Sequence, residues 1–312
     1  MKRLLLIIIP VTIFVLSGCD KIGVDAYKPV IELDTSFFTD GNWEDYPWPE
    51  FNGSAQITRN VLLEDFTGHK CPNCPLGNVK AEEAEENHPD RVFAVSIHQG
   101  ANNDNSLQVT LATCGDTIAN PESEFCHDFI TEEGVEIGSE FATGFGFNGN
   151  PSGTVNRIIF EGQNMFSFYT LWEDRVNTVL DTDPVVSLQT ASNYFESSNG
   201  LYLHVEAEFL EPYETGVNIV TYVIENEIIA WQDSVGTNVE HYHHHNVFIG
   251  CIDGLAFGKS LGTTFTVENK ISTDYSYKIP DGLTPDDIHF VTYVYDVETY
   301  EILQVVKHEL NN

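Results

Sequence analysis

The chain has 312 residues, 42% of them hydrophobic, and a formal net charge of −34. That length suffices for two domains of ordinary size, and the apolar fraction excludes wholesale disorder. The charge repels nucleic acid and anionic lipid surfaces, so nucleic acid is not expected as a partner, while solubility and attraction of divalent cations are favoured.

Lys2 and Arg3 open the chain, followed by an almost wholly apolar run from Leu4 to Leu16 broken by Pro10 and Thr12. The run matches a signal-peptide core and is too short to span a bilayer comfortably. Leu16-Ser17-Gly18-Cys19 then reads as a lipobox. Residues 1–18 are therefore expected to be a signal peptide, with Cys19 the lipidated new N-terminus. An ordinary cleaved signal beside an incidental cysteine is the alternative, but the order and distances favour the lipobox. Each buried acyl CH₂ contributes about 0.8 kcal/mol, so several chains anchor permanently. Losing Lys2 and Arg3 takes the charge to about −36. No other long apolar run exists, and the remainder is expected to be soluble and exported. Residues 19–56 form a lipidated N-terminal segment, irregular in pattern, whose Trp43, Tyr46 and Trp48 are expected to pack on the first domain.

Val61 to Phe66 reads as a buried strand and Thr67 to Lys70 as a turn. Cys71-Pro72-Asn73-Cys74 is expected to open a helix running to Asn87. Its inner face would carry Leu76, Val79, Ala84 and the stem of Lys80, with Glu82, Glu83, Glu85 and Glu86 facing water. His88-Pro89-Asp90 ends the helix, and Arg91 to His98 is the next strand. Strand, helix and strand in this order imply parallel neighbours in one sheet. An insertion of about 100–150 follows, holding Cys114, Cys126 and a helical stretch from Val135 to Phe145. After a turn at 148–153 come a strand from Thr154 to Phe160 and a helix from Ser167 to Leu180, with Phe168, Leu171, Trp172, Val176 and Val179 at helical spacing. Asp181 to Pro184 marks a boundary between a first domain at 57–183 and a second at 184–312. Beyond it the apolar period becomes two, as in Leu201, Leu203, Val205, Ala207 and Phe209. Strands are also expected near 185–193, 217–225, 245–252, 263–270, 288–296 and 301–308. The fold class is thus an α/β domain followed by an all-β sandwich, immunoglobulin-like by default.

The chemistry rests on Cys71 and Cys74. A helix start favours a thiolate on the first cysteine, and lowering its pKa from about 8.5 to about 7 makes roughly half of it reactive at neutrality. Cys71 would be the exposed nucleophile. Cys74, one turn on, would be the buried resolving thiol that attacks a mixed disulfide. Two other readings stand beside this one: a structural disulfide, and half a zinc site completed by His69 or His98. Of the six cysteines, Cys114 and Cys126 could pair, closing a short loop on the order of 3 kcal/mol; Cys251 is left over. His241, His243 and His245 share one strand face, but ligands spread so far along a strand converge poorly on one metal. They are weak metal candidates, and a solvated histidine-rich strand is favoured. No cofactor is expected.

Around these cysteines the chain resembles the thioredoxin superfamily over about Thr58 to Leu180. Asp65-Phe66 stands ahead of Cys71 where thioredoxins carry a buried aspartate and a phenylalanine. The resemblance implies that Asp65 relays protons to Cys74, although Glu64 competes for the inward position. It also implies that Pro151 is a cis-proline beside the cysteines. Pro72-Asn73 departs from the thioredoxin dipeptide, and Pro75 removes a backbone donor. The full order of features narrows this further: the lipobox, Glu64-Asp65-Phe66-Thr67-Gly68 before Cys71-Pro72-Asn73-Cys74-Pro75, Asn156-Arg157, a β-domain, and Tyr242-His243-His244-His245-Asn246-Val247. Together they resemble the outer membrane protein 28-related lipoproteins of Gram-negative bacteria. The resemblance implies a thioredoxin-like domain and an immunoglobulin-like domain, lipid-anchored at the outer membrane and facing the periplasm or the cell surface. Its partners would be exported client proteins or envelope proteins. Two functions compete: a thiol–disulfide oxidoreductase, and a non-catalytic binding or scaffold lipoprotein.

Replacing Cys19 by alanine is expected to release a soluble chain or to block processing. Membrane fractionation and mass spectrometry of the mature N-terminus check this; an unmodified wild-type N-terminus at any other residue would contradict it.

Overall fold

Every residue of β1 (Val61–Thr67) is buried, so both faces of its sheet must be covered. The computed structural model describes residues 33–51, 57–99, 107–108, 125–147, 149–160 and 162–310. The expectations for the signal peptide, Cys19 and Cys114 lie outside them.

α1 (Cys74–Asn87) follows β1, and β2 (Val92–His98) then pairs parallel to β1, as the strand–helix–strand pattern requires. α2 (Glu132–Ala142) comes next, starting on a Thr131 side chain that accepts from Gly134 N. β3 (Ser152–Val155) pairs antiparallel to β1, and α3 (Trp172–Leu180) closes this part. The strand expected to reach Phe160 stops at Val155. Asn156 and Arg157 take φ of 45° and 53°. The Asn156 side chain replaces the lost pairing, accepting from Leu62 N at 2.7 Å and donating to Asn60 O at 3.1 Å.

The remaining chain forms β4 (Val186–Phe195), β5 (Gly200–Phe209), β6 (Val217–Ser234), β7 (Thr237–Cys251), β8 (Lys259–Gly262), β9 (Lys270–Lys278), β10 (Ile288–Asp296) and β11 (Ile302–Glu309). The strand expected at 263–270 is instead largely a connection, bounded by positive φ at Gly262 and Glu268. β6 and β7 exceed expectation. Val235 and Gly236, both at positive φ, close them into a long hairpin, as two-residue turns of this hand require.

Two sheets result, in the orders β11-β10-β6-β7-β2-β1-β3 (with β8 also on β6) and β4-β5-β9. The first sheet crosses the sequence boundary at residue 184, because Ser96 of β2 pairs in parallel with Val247 of β7. Val61 and Leu63 face a core with Ala81, Ala84, Trp172, Val176 and Val179 of α1 and α3. Leu62 and Phe66 face the other side, against Ile137 and Phe141 of α2 in a core that continues through Tyr222, Phe248 and Tyr293. The three-stranded sheet packs over β6, β10 and β11 through Leu203, Val205, Ile219, Val223 and Phe290. No helix among the described residues is long and apolar enough to cross a membrane.

Two expectations are corrected. Leu76 (44% exposed) and Val79 (47%) point outward; α1 instead buries Pro75, Gly77, Asn78, Ala81 and Ala84, small or compact residues that let the helix sit close to the sheet. The N-terminal aromatics pack not on the first domain but on β4 and β5. Tyr46 joins Phe195 and Tyr202 in one cluster, stacks on Trp43 at 4.9 Å, and meets His204 Nε2 at 2.7 Å.

Between the halves lies a fully buried ion pair. Arg157 donates to both oxygens of Glu64, at 2.9 and 2.7 Å, and to the hydroxyls of Tyr222 and Tyr293. Thr154 and Tyr222 also donate to Glu64. Burial alone would raise the Glu64 pKa, but the Arg157 charge and these hydrogen bonds outweigh it and hold the carboxyl below its ordinary value.

Breaking one partner of such a pair strands the other charge, so Glu64→Gln or Arg157→Met is expected to cost about 3–5 kcal/mol, and the two losses together less than their sum. Denaturant unfolding measures this; additive losses below about 1 kcal/mol each would contradict it.

Candidate functional site

The turn after β1 carries Cys71, which is bonded to Cys74 with a Cα–Cα distance of 5.4 Å. The regular helix starts at Cys74, not at Cys71 as expected. Pro75 explains the shift, since it lacks the N–H that would bond the Cys71 carbonyl in an α-helix. That carbonyl accepts instead from Cys74 N at 3.2 Å and from Gln232 Nε2 at 3.1 Å.

Contrary to expectation Cys71 is not exposed. It is 2% accessible, and Cys74 is wholly buried. The tip of the β6–β7 hairpin lies on the loop. Asp233 N donates to His69 O and Val235 N to Pro72 O, both at 2.8 Å, and Gln232 Nε2 also reaches Gly68 O at 3.3 Å. Elsewhere on the loop Lys70 N donates to Leu107 O at 3.0 Å, and the side chains of Gln108 and Asn150 donate to Thr67 O at 2.8 and 2.6 Å.

Glu64 and Asp65 do not compete, because adjacent strand residues face opposite sides and both sides are covered. Asp65 lies on the α1 side. Asn78 of α1, with its amide oriented to suit its neighbours, donates to Asp65 Oδ2 at 2.9 Å and to Cys74 O at 3.1 Å, and accepts from the Tyr242 hydroxyl at 3.2 Å. Asp65 Oδ1 has no hydrogen-bond partner among the described residues. Burial pushes the carboxyl up to about 8, so it is neutral at neutrality. The Asn150–Pro151 bond is cis, as the resemblance implied. A Cβ on Gly77 would stand 3.3 Å from Pro151 Cβ, 3.5 Å from Trp172 Cη2 and 3.6 Å from Asp65 Oδ1. The structure thus brings Asp65, Pro151 and the first turn of α1 together.

Buried histidines adjoin the loop. His98 stacks on Phe129 at 4.1 Å and lies 5.4 Å from His244, while His69 meets Phe129 edge-on at 5.2 Å. Burial first, then mutual repulsion and nearby charge, lowers His69 and His244 to about 3, and His98 is lowered well below its ordinary value. They are held neutral. On the outer face of β7, His243 contacts Glu227 at 2.7 Å and His245 does so at 3.8 Å; His241 is exposed. No group of three His, Cys, Asp or Glu side chains among the described residues is placed to hold a metal. Cys126 is in a disulfide; its expected partner Cys114 lies outside the described residues. Cys251 is a free buried thiol.

Asn78, Gln232 and Tyr242 were not legible as site residues. Tyr242 belongs to the Tyr242–Val247 segment, whereas Gln232 carries no local signal, being 161 residues from Cys71.

A profile of the family described as Outer membrane protein Omp28 matches residues 139–312. Among solved structures the chain is similar to HBP35 of Porphyromonas gingivalis, with a TM-score of 0.58 and 16% identity over 83% of this chain and 77% of that one. It is also similar to a protein from Agrobacterium tumefaciens, with a TM-score of 0.50 and 10% identity over 83% of this chain and 97% of that one. A domain of the outer membrane lipoprotein Omp28 from Porphyromonas gingivalis matches at a TM-score of 0.28 and 18% identity, over 41% of this chain and 89% of that one. At these identities the first two likenesses show the fold alone. No curated protein matches the chain.

The buried groups set opposite pH limits. Asp65, raised to about 8, contributes its stability below its unfolded value and loses it as pH rises through 8. The neutral histidines contribute fully above their unfolded value and lose stability as pH falls toward about 3. Asp65→Asn is therefore expected to stabilise the oxidised protein above pH 8 by on the order of 5 kcal/mol and to change little near pH 4. Thermal unfolding across pH checks this; an equal effect at both ends would contradict it.

Proposed function

Because the chain belongs to the Outer membrane protein Omp28 family, we propose that it is a lipid-anchored outer-membrane protein that exchanges thiols and disulfides with exported or envelope proteins through Cys71 and Cys74. In this reading residues 57–183 are a thioredoxin-like module and 184–312 an immunoglobulin-like one. The parallel β1–α1–β2 unit supports the first, and the packing of β4-β5-β9 over β6, β10 and β11 supports the second. One observation carries the chemistry: the disulfide sits where β1 turns into α1, and Asn78 links the buried carboxyl of Asp65, whose pKa burial raises to about 8, to the Cys74 carbonyl.

A client thiolate attacks Cys71 Sγ. A client–Cys71 disulfide forms, the Cys71–Cys74 bond breaks, and its electron pair leaves on Cys74 Sγ. Protonated Asp65 is the group that supplies the proton to Cys74. A second client thiolate attacks the client sulfur of the mixed disulfide and releases Cys71, so two client thiols are oxidised and the protein holds two thiols. The reverse sequence reduces a client disulfide. A polar, uncharged Asn78 between Asp65 and the Cys74 carbonyl positions the acid.

The scaffold reading with a static disulfide has one observation in its favour, the burial of Cys71. Capture separates the two. Cys74→Ser is expected to accumulate mixed disulfides with envelope proteins that reductant releases, and Cys71→Ser none. Asp65→Asn should slow exchange near neutral pH in a folded protein. A Cys74→Ser protein that captures nothing and a wild type inert to a model protein disulfide would leave the scaffold reading.

A further inference from the structure

An exchange centre whose nucleophile is 2% accessible needs an opening movement. Of the elements on the loop, the β6–β7 hairpin reaches it as a two-stranded arm, because the ladder of β6 with β10 ends at Glu225 while its ladder with β7 continues to Ser234. Its tip is bonded to the loop through Gln232 Nε2 to Cys71 O and Gly68 O, Asp233 N to His69 O, and Val235 N to Pro72 O. Two of these donors are backbone amides presented as an extended strand would present them. The Cys71 carbonyl is available to Gln232 because Pro75 cannot use it. Gln232 is fully buried, although it stands near the end of a strand whose turn residue Val235 is exposed. The pairing register shifts beside it, between Ala230 and Gln232, where the facing stretch of β7 carries one extra residue at Glu240–His241 and twists the pair. The Tyr242 hydroxyl links the same hairpin to Asn78 and so to Asp65.

We propose that the tip of the β6–β7 hairpin is a gate on the Cys71–Cys74 disulfide, latched by Gln232, Asp233 and Val235, which must lift before a thiol reaches Cys71. The proposal rests on the exchange reading and adds its regulation. A client able to open the gate would be an extended segment, because such a segment offers the Pro72 and His69 carbonyls the same backbone donors that the hairpin withdraws.

The test is reduction by dithiothreitol, followed by alkylation and mass spectrometry. One thiolate attacks Cys71, Cys74 leaves, and the second thiol closes the cyclic disulfide, freeing both cysteines. In the wild type the rate is expected to level off as dithiothreitol rises, at the rate at which the Asp233 and Val235 amides exchange hydrogen under conditions where every opening leads to exchange. A shortened hairpin, with Asn-Gly replacing residues 231–241 between the paired Ala230 and Tyr242, should be reduced about tenfold faster or more, as for a gate open in one molecule in ten. Gln232→Ala should fall between the two and guards against misfolding of the shortened form. A wild-type rate linear in dithiothreitol and unchanged in Gln232→Ala overturns the gate, and leaves the exchange reading standing if a model protein disulfide is still turned over. Fast reduction of the variants with no turnover of that disulfide supports the gate and retires the exchange reading.

Discussion

The Glu64–Arg157 ion pair joins β1 to β6 and β10. A carboxylate in the middle of a fully buried strand has no water, and Arg157 with the Tyr222 and Tyr293 hydroxyls replaces it. Those tyrosines belong to β6 and β10, so satisfying the charge on β1 ties them to the first strand of the chain. β6 then continues past this contact with β7 beside it, and its far end reaches the Cys71 loop. A buried pair of this kind adds little net stability relative to an apolar core, but it penalises every arrangement that leaves one partner alone.

Its neighbour on β1 meets the same problem differently. Glu64 is given a cation, whereas Asp65, on the opposite face, has only Asn78 among the described residues, and burial raises its pKa to about 8. Burial with an unpartnered oxygen and a raised pKa costs the fold stability near neutral pH relative to acid pH. In the proposed exchange such a proton has a use, because a sulfur leaves as a thiolate. The contrast between these adjacent acids is the strongest physical reason to read the centre as reactive.

Much of the first half was legible. The strand–helix–strand pattern around Cys71 and Cys74 places the disulfide, and the acid six residues before Cys71 lies where the resemblance put it. Short-range chemistry explains the misses there: Pro75 delays the helix, and small residues rather than Leu76 and Val79 seat it. Alternation in Leu201 to Phe209 reveals β5, but a period of two cannot say which strand neighbours which. The parallel contact of Ser96 with Val247 is therefore invisible in the sequence. Gln232 and Asn78 escape for a related reason. Their roles arise from contacts across long stretches of chain, and an uncharged amide carries no motif. The histidines show the limit of reading by residue type: His243 and His245 attract attention as ligands, whereas His98 and His244 are sealed beside Phe129 as neutral rings.

The central claim is that the Cys71–Cys74 disulfide is made and broken in use. Its reduction potential in the lipid-free protein, measured against glutathione or dithiothreitol redox buffers, tests this most directly. The account predicts a value between about −120 and −270 mV, within the range of exchange proteins, and a value below about −300 mV would mark a permanent structural bond and contradict it.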